Sequence, residues 1–201
     1  MNYLLTIFFL IFISSSCNKN IFYGKVIQIF DGDTVKIKKC LDKKCKQISS
    51  EQLRIRLLGI DCPEIKQEQW GKRAKEELEA LIPDSQVIRL ETAIVKKDKY
   101  GRTLAYLYAT GKTLNSKDKS QQEKVLQSKS LNEHLLRKGL AQIFILAPNN
   151  KYSDNFKRAE SLARKEKLNI WDLENGLKHS PYKFRKIQKR KSKLAYNKRK
   201  K

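Results

Sequence analysis

Histidine and cysteine are scarce in this chain of 201 residues, which contains two histidines and four cysteines. A structural zinc site needs a full set of ligands, usually cysteine and histidine. His134 and His179 have no cysteine pair near them, so the ligand count argues against a zinc protein. Long apolar runs are also missing: the one over residues 1–13 is shorter than the roughly 20 residues of a membrane-spanning helix.

This N-terminal apolar run has the length of a signal-peptide core. It ends in three serines followed by Cys17, an arrangement that resembles the cleavage and lipidation site of a bacterial lipoprotein. We therefore expect residues 1–16 to be a signal peptide and Cys17 to carry lipid, with residues 17–22 as a short linker. The mature chain would then be anchored to a membrane of the cell envelope. Secretion without an anchor is the alternative.

Acidic residues are few relative to basic ones, 21 against 44, which gives a formal net charge of +23. Such an excess predicts a polyanionic partner, either nucleic acid or an anionic membrane surface. Residues 177–201 carry 12 Lys or Arg and no acidic residue, and we expect this basic tail to be disordered. Its aromatic residues, Tyr182, Phe184 and Tyr196, favour contact with nucleic acid or lipid headgroups.

Five short runs rich in Ile, Val and Leu predict strands. They cover residues 23–30, 34–39, 53–58, 87–92 and 103–108. Apolar residues at helical spacing predict helices over residues 71–82, 131–138 and 153–167. The order lacks a βαβ rhythm, so we predict an α+β fold over residues 23–176, a five-stranded OB-like β-barrel with about three helices. Residues 115–130 are polar and predict an insertion.

Carboxylates stand at two of the predicted strand ends. Asp31 and Asp33 flank a glycine at the first turn, and Asp61 and Glu64 follow the third strand. If these strand ends are neighbours, the acids share one cleft. Oxygen ligands without nitrogen or sulfur select Ca²⁺ or Mg²⁺. A weak site of few carboxylates suits an extracellular Ca²⁺.

Two arginines accompany the acids. Arg56 lies on the strand that leads to Asp61, and Arg102 begins the fifth strand. A guanidinium can bind two phosphate oxygens at once. A cation, a carboxylate base and guanidinium donors are what phosphodiester hydrolysis requires, so the set is a candidate nuclease site.

The order and spacing of these residues resemble the staphylococcal nuclease family from about Tyr23 to Trp171. The matching blocks are residues 31–36, 56–64, 98–106, 131–141 and 163–171. The resemblance implies a calcium-dependent endonuclease that hydrolyses DNA and RNA and leaves 3′-phosphates. We expect it to act as a monomer.

The resemblance also implies residue roles in the metal and water site. Asp33 and Asp61 correspond to the two carboxylate ligands of Ca²⁺, and the backbone carbonyl of Cys62 stands where a further oxygen ligand is expected. Glu64 corresponds to the general base, a role that suits a carboxylate beside a cation and arginines.

Substrate contacts follow from the same resemblance. Arg56 and Arg102 correspond to the pair that binds the scissile phosphate, and Lys99 and Tyr100 to residues that bind the terminal phosphate. Two family tyrosines that pack on a base are replaced. Aligned from the downstream proline they become Phe144 and Leu146. Aligned from the upstream glycine they become Ile145 and Ala147. Phe144 can still stack on a base.

Two alternative functions stay open at this point. A catalytically silent nucleic-acid-binding lipoprotein would use the same barrel, and an envelope protein whose basic tail lies on anionic lipid would use the tail alone.

The spacing of Cys40 and Cys45 permits a local disulfide in an oxidising compartment, or two free thiols.

Overall fold

Five strands close into a barrel in the computed structural model of the chain, which describes residues 20–82, 86–110 and 129–200. The strands in chain order are β1 (Ile21–Asp31), β2 (Thr34–Cys40), β3 (Ile48–Leu57), β4 (Gly59–Asp61), β5 (Val87–Lys97), β6 (Thr103–Ala109) and β7 (Gln142–Phe144). The barrel order is β1-β2-β3-β6-β5, with β3 and β6 parallel and the other neighbours antiparallel. The predicted OB-like barrel is confirmed.

Four α-helices are described, α1 (Trp70–Leu81), α2 (Leu131–Arg137), α3 (Ser153–Lys165) and α4 (Pro181–Arg199). The first three lie where apolar spacing predicts helices. Ser130 caps α2 by accepting a hydrogen bond from the backbone N–H of Glu133, and Gly139 follows the helix at a φ of 64°. Within the described ranges, no helix has both the length and the apolar character needed to cross a bilayer.

Helix α4 corrects the prediction of a disordered tail. The Ser180 side chain accepts a hydrogen bond from the backbone N–H of Lys183, and Pro181 occupies the first turn. No glycine or proline follows within the helix, and Lys, Arg, Gln, Leu and Ala are strong helix formers. Cap and propensity therefore outweigh the repulsion between exposed like charges, which solvent and salt screen.

A two-stranded sheet formed by β4 and β7 was not predicted, because three residues are too few for a periodic pattern. It pairs Asp61 with Gln142 and Gly59 with Phe144. The sheet thereby brings a predicted metal ligand and a predicted base-stacking residue to one region.

The buried side chain of Asn132 holds the bend between β3 and β4. Its Nδ2 donates to the carbonyl of Leu58 at 2.8 Å, and its Oδ1 accepts from the backbone N–H of Leu107 at 3.0 Å. Gly59 has a φ of 75°, and a Cβ there would lie 2.6 Å from the ring of Phe156. The chain therefore turns sharply at this point and delivers Asp61 to the end of the barrel.

Cys40 and Cys45 form a disulfide with a Cα–Cα distance of 4.9 Å, which settles the choice that the sequence left open. The bond restrains the connection between β2 and β3. Residues 1–16, Cys17 and most of the predicted insertion at 115–130 lie outside the described residues.

Candidate active site

Asp33 and Asp61 meet at one end of the barrel. Arg56 Nη2 lies 3.1 Å from Asp33 Oδ2 and 3.0 Å from Asp61 Oδ1. The backbone N–H of Cys62 donates to Asp33 Oδ2 at 2.8 Å. Both carboxylates are buried, with 6% and 3% of their residue surface exposed. The two strand ends are therefore neighbours, as the shared cleft requires.

The turn between β1 and β2 fits closely against its surroundings. A Cβ on Gly32 would lie 2.7 Å from Cβ of Ala74 and 2.9 Å from Sγ of Cys62, so only glycine fits. Asp31 Oδ1 accepts a hydrogen bond from the backbone N–H of Asp33 at 3.0 Å. The predicted Asp-Gly-Asp turn thus fixes Asp33 by close packing and by a local hydrogen bond.

Burial dominates the electrostatics of the two carboxylates. Burial raises the pKa of Asp33. The nearby carboxylate of Asp31 raises this pKa further, and the Arg56 guanidinium acts in the opposite direction. Burial also raises the pKa of Asp61, although hydrogen bonds from Arg185 and the charge of Arg56 act in the opposite direction. Two buried carboxylates with raised pKa values are suited to bind a cation, which compensates their lost hydration.

The chemistry of the donors fits a hard cation. Asp33 and Asp61 offer oxygen atoms, which Ca²⁺ prefers. In the described part of the chain, no group of three or more His, Cys, Asp or Glu side chains is arranged to hold a metal ion. A cation at these two carboxylates would therefore need backbone carbonyls, water or substrate oxygens as well. The carbonyl of Cys62 stays the predicted backbone ligand, and its thiol is buried.

Glu64 lies at the margin of the same site, with 37% of its side chain exposed. Its backbone is held by Gln67, whose N–H donates to the Glu64 carbonyl at 2.7 Å and whose Oε1 accepts from the Glu64 N–H at 3.3 Å. A Cβ on Gly71 would lie 2.0 Å from the Glu64 carbonyl oxygen. Helix α1 therefore approaches the Glu64 segment so closely that Gly71 must be glycine.

Arg102 is positioned by Asp98, a role that the sequence did not reveal. Asp98 Oδ2 accepts from Arg102 Nε at 2.7 Å, and Oδ1 accepts from the backbone N–H groups of Tyr100 and Arg102 at 2.9 and 3.0 Å. Gly101 has a φ of 77°, which completes the tight turn. The only sequence signal for Asp98 was its place at the start of a matching block.

One cleft of about 970 Å³ joins these groups. Its lining includes every predicted site residue except Cys62, namely Asp33, Arg56, Asp61, Glu64, Lys99, Tyr100, Arg102 and Phe144. Tyr100 is 72% exposed and Phe144 is 41% exposed, so both rings are accessible from the cleft. Leu146 and Ala147 also line it and Ile145 does not, so the alignment from the downstream proline places both of its residues in the cleft and the other alignment places one.

Two cleft residues, Tyr182 and Arg185, come from α4. Tyr182 was expected to contact nucleic acid or lipid as part of the tail, but neither residue was predicted to line the cleft. Arg185 Nη2 lies 2.7 Å from Asp61 Oδ2, and its Nη1 donates to Asp61 Oδ1 at 3.1 Å and to Glu64 Oε1 at 2.8 Å. Nothing in the spacing of the basic tail distinguished Arg185 from its neighbours, and the matching blocks end before it.

Comparison with known proteins agrees with this geometry. Residues 54–173 match the family model described as staphylococcal nuclease homologue. The thermonuclease of Staphylococcus hyicus is 33% identical over 152 residues, which cover 73% of this chain and 74% of that protein. The thermonuclease of Staphylococcus intermedius is 32% identical with the same coverage. The SPbeta prophage-derived endonuclease YokF of Bacillus subtilis (strain 168) is 34% identical over 70% of this chain and 41% of its own length.

Proposed function

Because the chain belongs to the staphylococcal nuclease family, we propose that this nuclease is a calcium-dependent endonuclease that hydrolyses DNA and RNA and leaves 3′-phosphates. The observation that carries the proposal is the bridge from Arg56 to the buried carboxylates of Asp33 and Asp61. Glu64 lines the same cleft. A phosphate there would meet guanidinium donors beside a carboxylate base.

Asp33 and Asp61, with the carbonyl of Cys62, are the residues that would hold Ca²⁺. When bound, this cation supplies positive charge that stabilises the phosphate oxygens as negative charge accumulates on them. Glu64 accepts a proton from the attacking water, whose oxygen bonds to phosphorus. The bond from phosphorus to the 5′ oxygen breaks, the 5′ oxygen takes a proton from solvent water, and the phosphate stays on the 3′ side. Glu64 then releases its proton to solvent.

Arg56 and Arg102 stabilise charge on the phosphate in this proposal. A guanidinium aimed at oxygens that become more negative during the reaction lowers the barrier more than it strengthens ground-state binding. Arg102 is held through Nε by Asp98, an arrangement that orients its guanidinium. Lys99 and Tyr100 line the same cleft and would contact a neighbouring phosphate.

Base contacts are expected to be weak. Phe144 lines the cleft and offers one ring for stacking, while Leu146 offers none. Loss of a stacking partner costs about 1 to 3 kcal/mol of binding per base. Phosphate contacts should therefore dominate affinity, with little dependence on base sequence.

The experiment that tests this function incubates the purified protein with single-stranded DNA and RNA, with Ca²⁺ or with a chelator. We expect both substrates to be cleaved when Ca²⁺ is present and neither to be cleaved with the chelator. The products should have 5′ hydroxyl ends, which polynucleotide kinase phosphorylates without prior dephosphorylation. Binding without cleavage under every condition would instead support the catalytically silent nucleic-acid-binding lipoprotein.

We also propose that the mature chain is a monomer anchored to an envelope membrane through lipid on Cys17. The apolar segment and the serines before Cys17 support the lipid anchor. The disulfide between Cys40 and Cys45 supports export, since such bonds persist in oxidising compartments. Labelling of cells with a palmitate analogue tests it. Label should enter wild type and not Cys17→Ser, and equal labelling of both would contradict the anchor.

A further inference from the structure

The segment that leads into α4 is tied to the rim of the cleft. Trp70 Nε1 donates to the carbonyl of Asn175 at 3.2 Å, and Gln67 Nε2 donates to the carbonyl of His179. Gln67 is the residue that also holds the backbone of Glu64. The first turn of α4 is therefore fixed next to the proposed base by bonds that involve no side chain of α4 itself.

Arg185, at the start of the second turn, contacts the acids that the proposed reaction needs. Its guanidinium binds both carboxylate oxygens of Asp61 and Oε1 of Glu64. The same oxygens would bind the cation and accept the proton of water. Arg185 must therefore leave before either acid can function. Its side chain is 42% exposed, so these ion pairs are in contact with solvent and reversible.

The remainder of α4 has basic residues without acidic partners. Residues 186–199 carry no Asp or Glu, and nearly all of them are exposed. Among the described residues, Arg185 is the only base of α4 that forms a salt bridge. Like charges three and four residues apart on a helix repel one another. A phosphate backbone would supply the missing counter-charges and release bound salt ions.

We propose that α4 is an intramolecular gate, an inference that rests on the proposed function. In the protein without nucleic acid, Arg185 occupies Asp61 and Glu64 and competes with the cation. A nucleic acid strand that reaches the exposed bases of α4 draws the Arg185 side chain away from Asp61 and Glu64 and frees both acids, while the bonds to Asn175 and His179 keep the start of the helix in place. The enzyme is thereby most active where a polyanion is present.

The gate predicts a specific effect on cation affinity, measurable without any substrate. We compare wild type, Arg185→Gln and Arg190→Gln by calorimetric titration with Ca²⁺. Arg190 lies on the exposed part of the same helix, so its replacement removes the same charge without touching the acids. We expect Arg185→Gln to bind Ca²⁺ about fivefold more tightly than wild type, as loss of a competing, partly exposed ion pair allows. Arg190→Gln should stay within about twofold, since screened surface charges act weakly.

A second readout uses strand length. The Ca²⁺ concentration for half-maximal cleavage should be lower with a long single strand than with a dinucleotide, which is too short to extend from the cleft to the exposed bases at residues 186–199 of α4. Arg185→Gln should remove most of this difference, and Arg190→Gln should keep most of it.

The two claims fail differently. Calcium-dependent cleavage by all three proteins, with equal Ca²⁺ affinities for Arg185→Gln and Arg190→Gln, would overturn the gate and leave the proposed function intact. Absence of both Ca²⁺ binding and cleavage in wild type and Arg185→Gln would overturn the proposed function and the gate together.

Discussion

At the scale of single residues, Arg56 connects the two buried carboxylates of the site. It pairs with both buried carboxylates and donates through Nη1 to the carbonyl of Leu57 at 2.8 Å, which fixes its orientation. An entering phosphate competes for the same N–H groups. In the proposed reaction, the same side chain would therefore face the charge of the substrate phosphate.

Gly71 offers a test of how Glu64 is positioned. Gly71→Ala places a methyl group 2.0 Å from the backbone carbonyl oxygen of Glu64, so the Glu64 segment must move. We expect a loss of about 1 to 3 kcal/mol in the free energy of unfolding, as for other overpacked sites. We also expect at least about a tenfold lower cleavage rate, because small displacements of a base are costly.

Lys72→Ala is the matched control for Gly71→Ala, since Lys72 lies next to it on α1 with 78% of its side chain exposed. Urea unfolding and single-turnover cleavage measure both variants. A Gly71→Ala protein as stable and as fast as Lys72→Ala would show that the close approach is not required.

Asp98 tests whether the orientation of Arg102 matters. Asp98→Asn removes the charge that holds Arg102 Nε at 2.7 Å. We expect the cleavage rate to fall by about tenfold with little change in Ca²⁺ affinity, because a misplaced donor weakens transition-state contacts. Asp42→Asn is the control, since Asp42 also accepts several backbone N–H groups in a tight loop. Equal rates for the two variants would contradict a positioning role for Asp98.

The sequence predicted the acids and arginines of the site because they stand in ordered blocks. It could not predict contacts made across the fold. The contact of Arg185 with Asp61 joins residues 124 positions apart. The pairing of Asp98 with Arg102 is local, but no pattern distinguishes Asp98 from other polar loop residues. Such a contact depends on where a helix docks, which no local pattern records.

At the scale of elements, α1 and α2 are joined by a hydrogen bond of 2.7 Å between Glu77 Oε1 and His134 Nε2. This bond lowers the pKa of Glu77, although partial burial acts to raise it. A folded-state pKa below the unfolded value adds stability above the unfolded pKa, and that stability is lost as pH falls through the folded pKa.

We therefore expect Glu77→Gln to lower the free energy of unfolding by about 0.5 to 1 kcal/mol at pH 7, in the range of partly exposed ion pairs. The difference should vanish at a pH below the lowered pKa of Glu77. Chemical denaturation at pH 7 and in acid measures this. Glu76→Gln, on the exposed face of α1, should change little at either pH. A difference that persists in acid would contradict the linkage.

Helix α4 gives a second element-scale prediction. A chain that ends at Ser180 keeps the bonds from Trp70 and Gln67 but loses Arg185 and the exposed bases. We expect the dependence of oligonucleotide binding on salt to flatten, because each lost phosphate contact on a single strand reduces the slope by about 0.7. Cleavage of a dinucleotide should be retained. An unchanged salt slope would show that α4 does not contact nucleic acid.

Pattern strength explains which elements could be predicted. Apart from α4, the strands and helices of seven residues or more gave recognisable patterns, whereas β4 and β7 have three residues each and gave none. The run of basic residues in α4 led to a prediction of disorder. Ser180 followed by Pro181 is nevertheless a typical helix start in the sequence. Composition described the charge of the tail correctly and its conformation wrongly.

The whole molecule combines a net charge of +23 with a cleft that contains buried acids. The positive surface attracts a polyanion over distances comparable with the Debye length, and the buried acids would suit a cation in the cleft. These two features serve one function if the polyanion is the substrate. They also explain why the charged residues are unevenly divided between the barrel and α4.

The most direct test of the account is single-turnover cleavage of labelled single-stranded DNA by wild type and Glu64→Gln at saturating Ca²⁺, with affinity measured on the same samples. Loss of the general base should lower the rate by about 10³-fold while oligonucleotide affinity changes by less than about fivefold. Glu76→Gln should cleave as wild type does. A Glu64→Gln protein that cleaves within about tenfold of wild type would contradict the assignment of the active site.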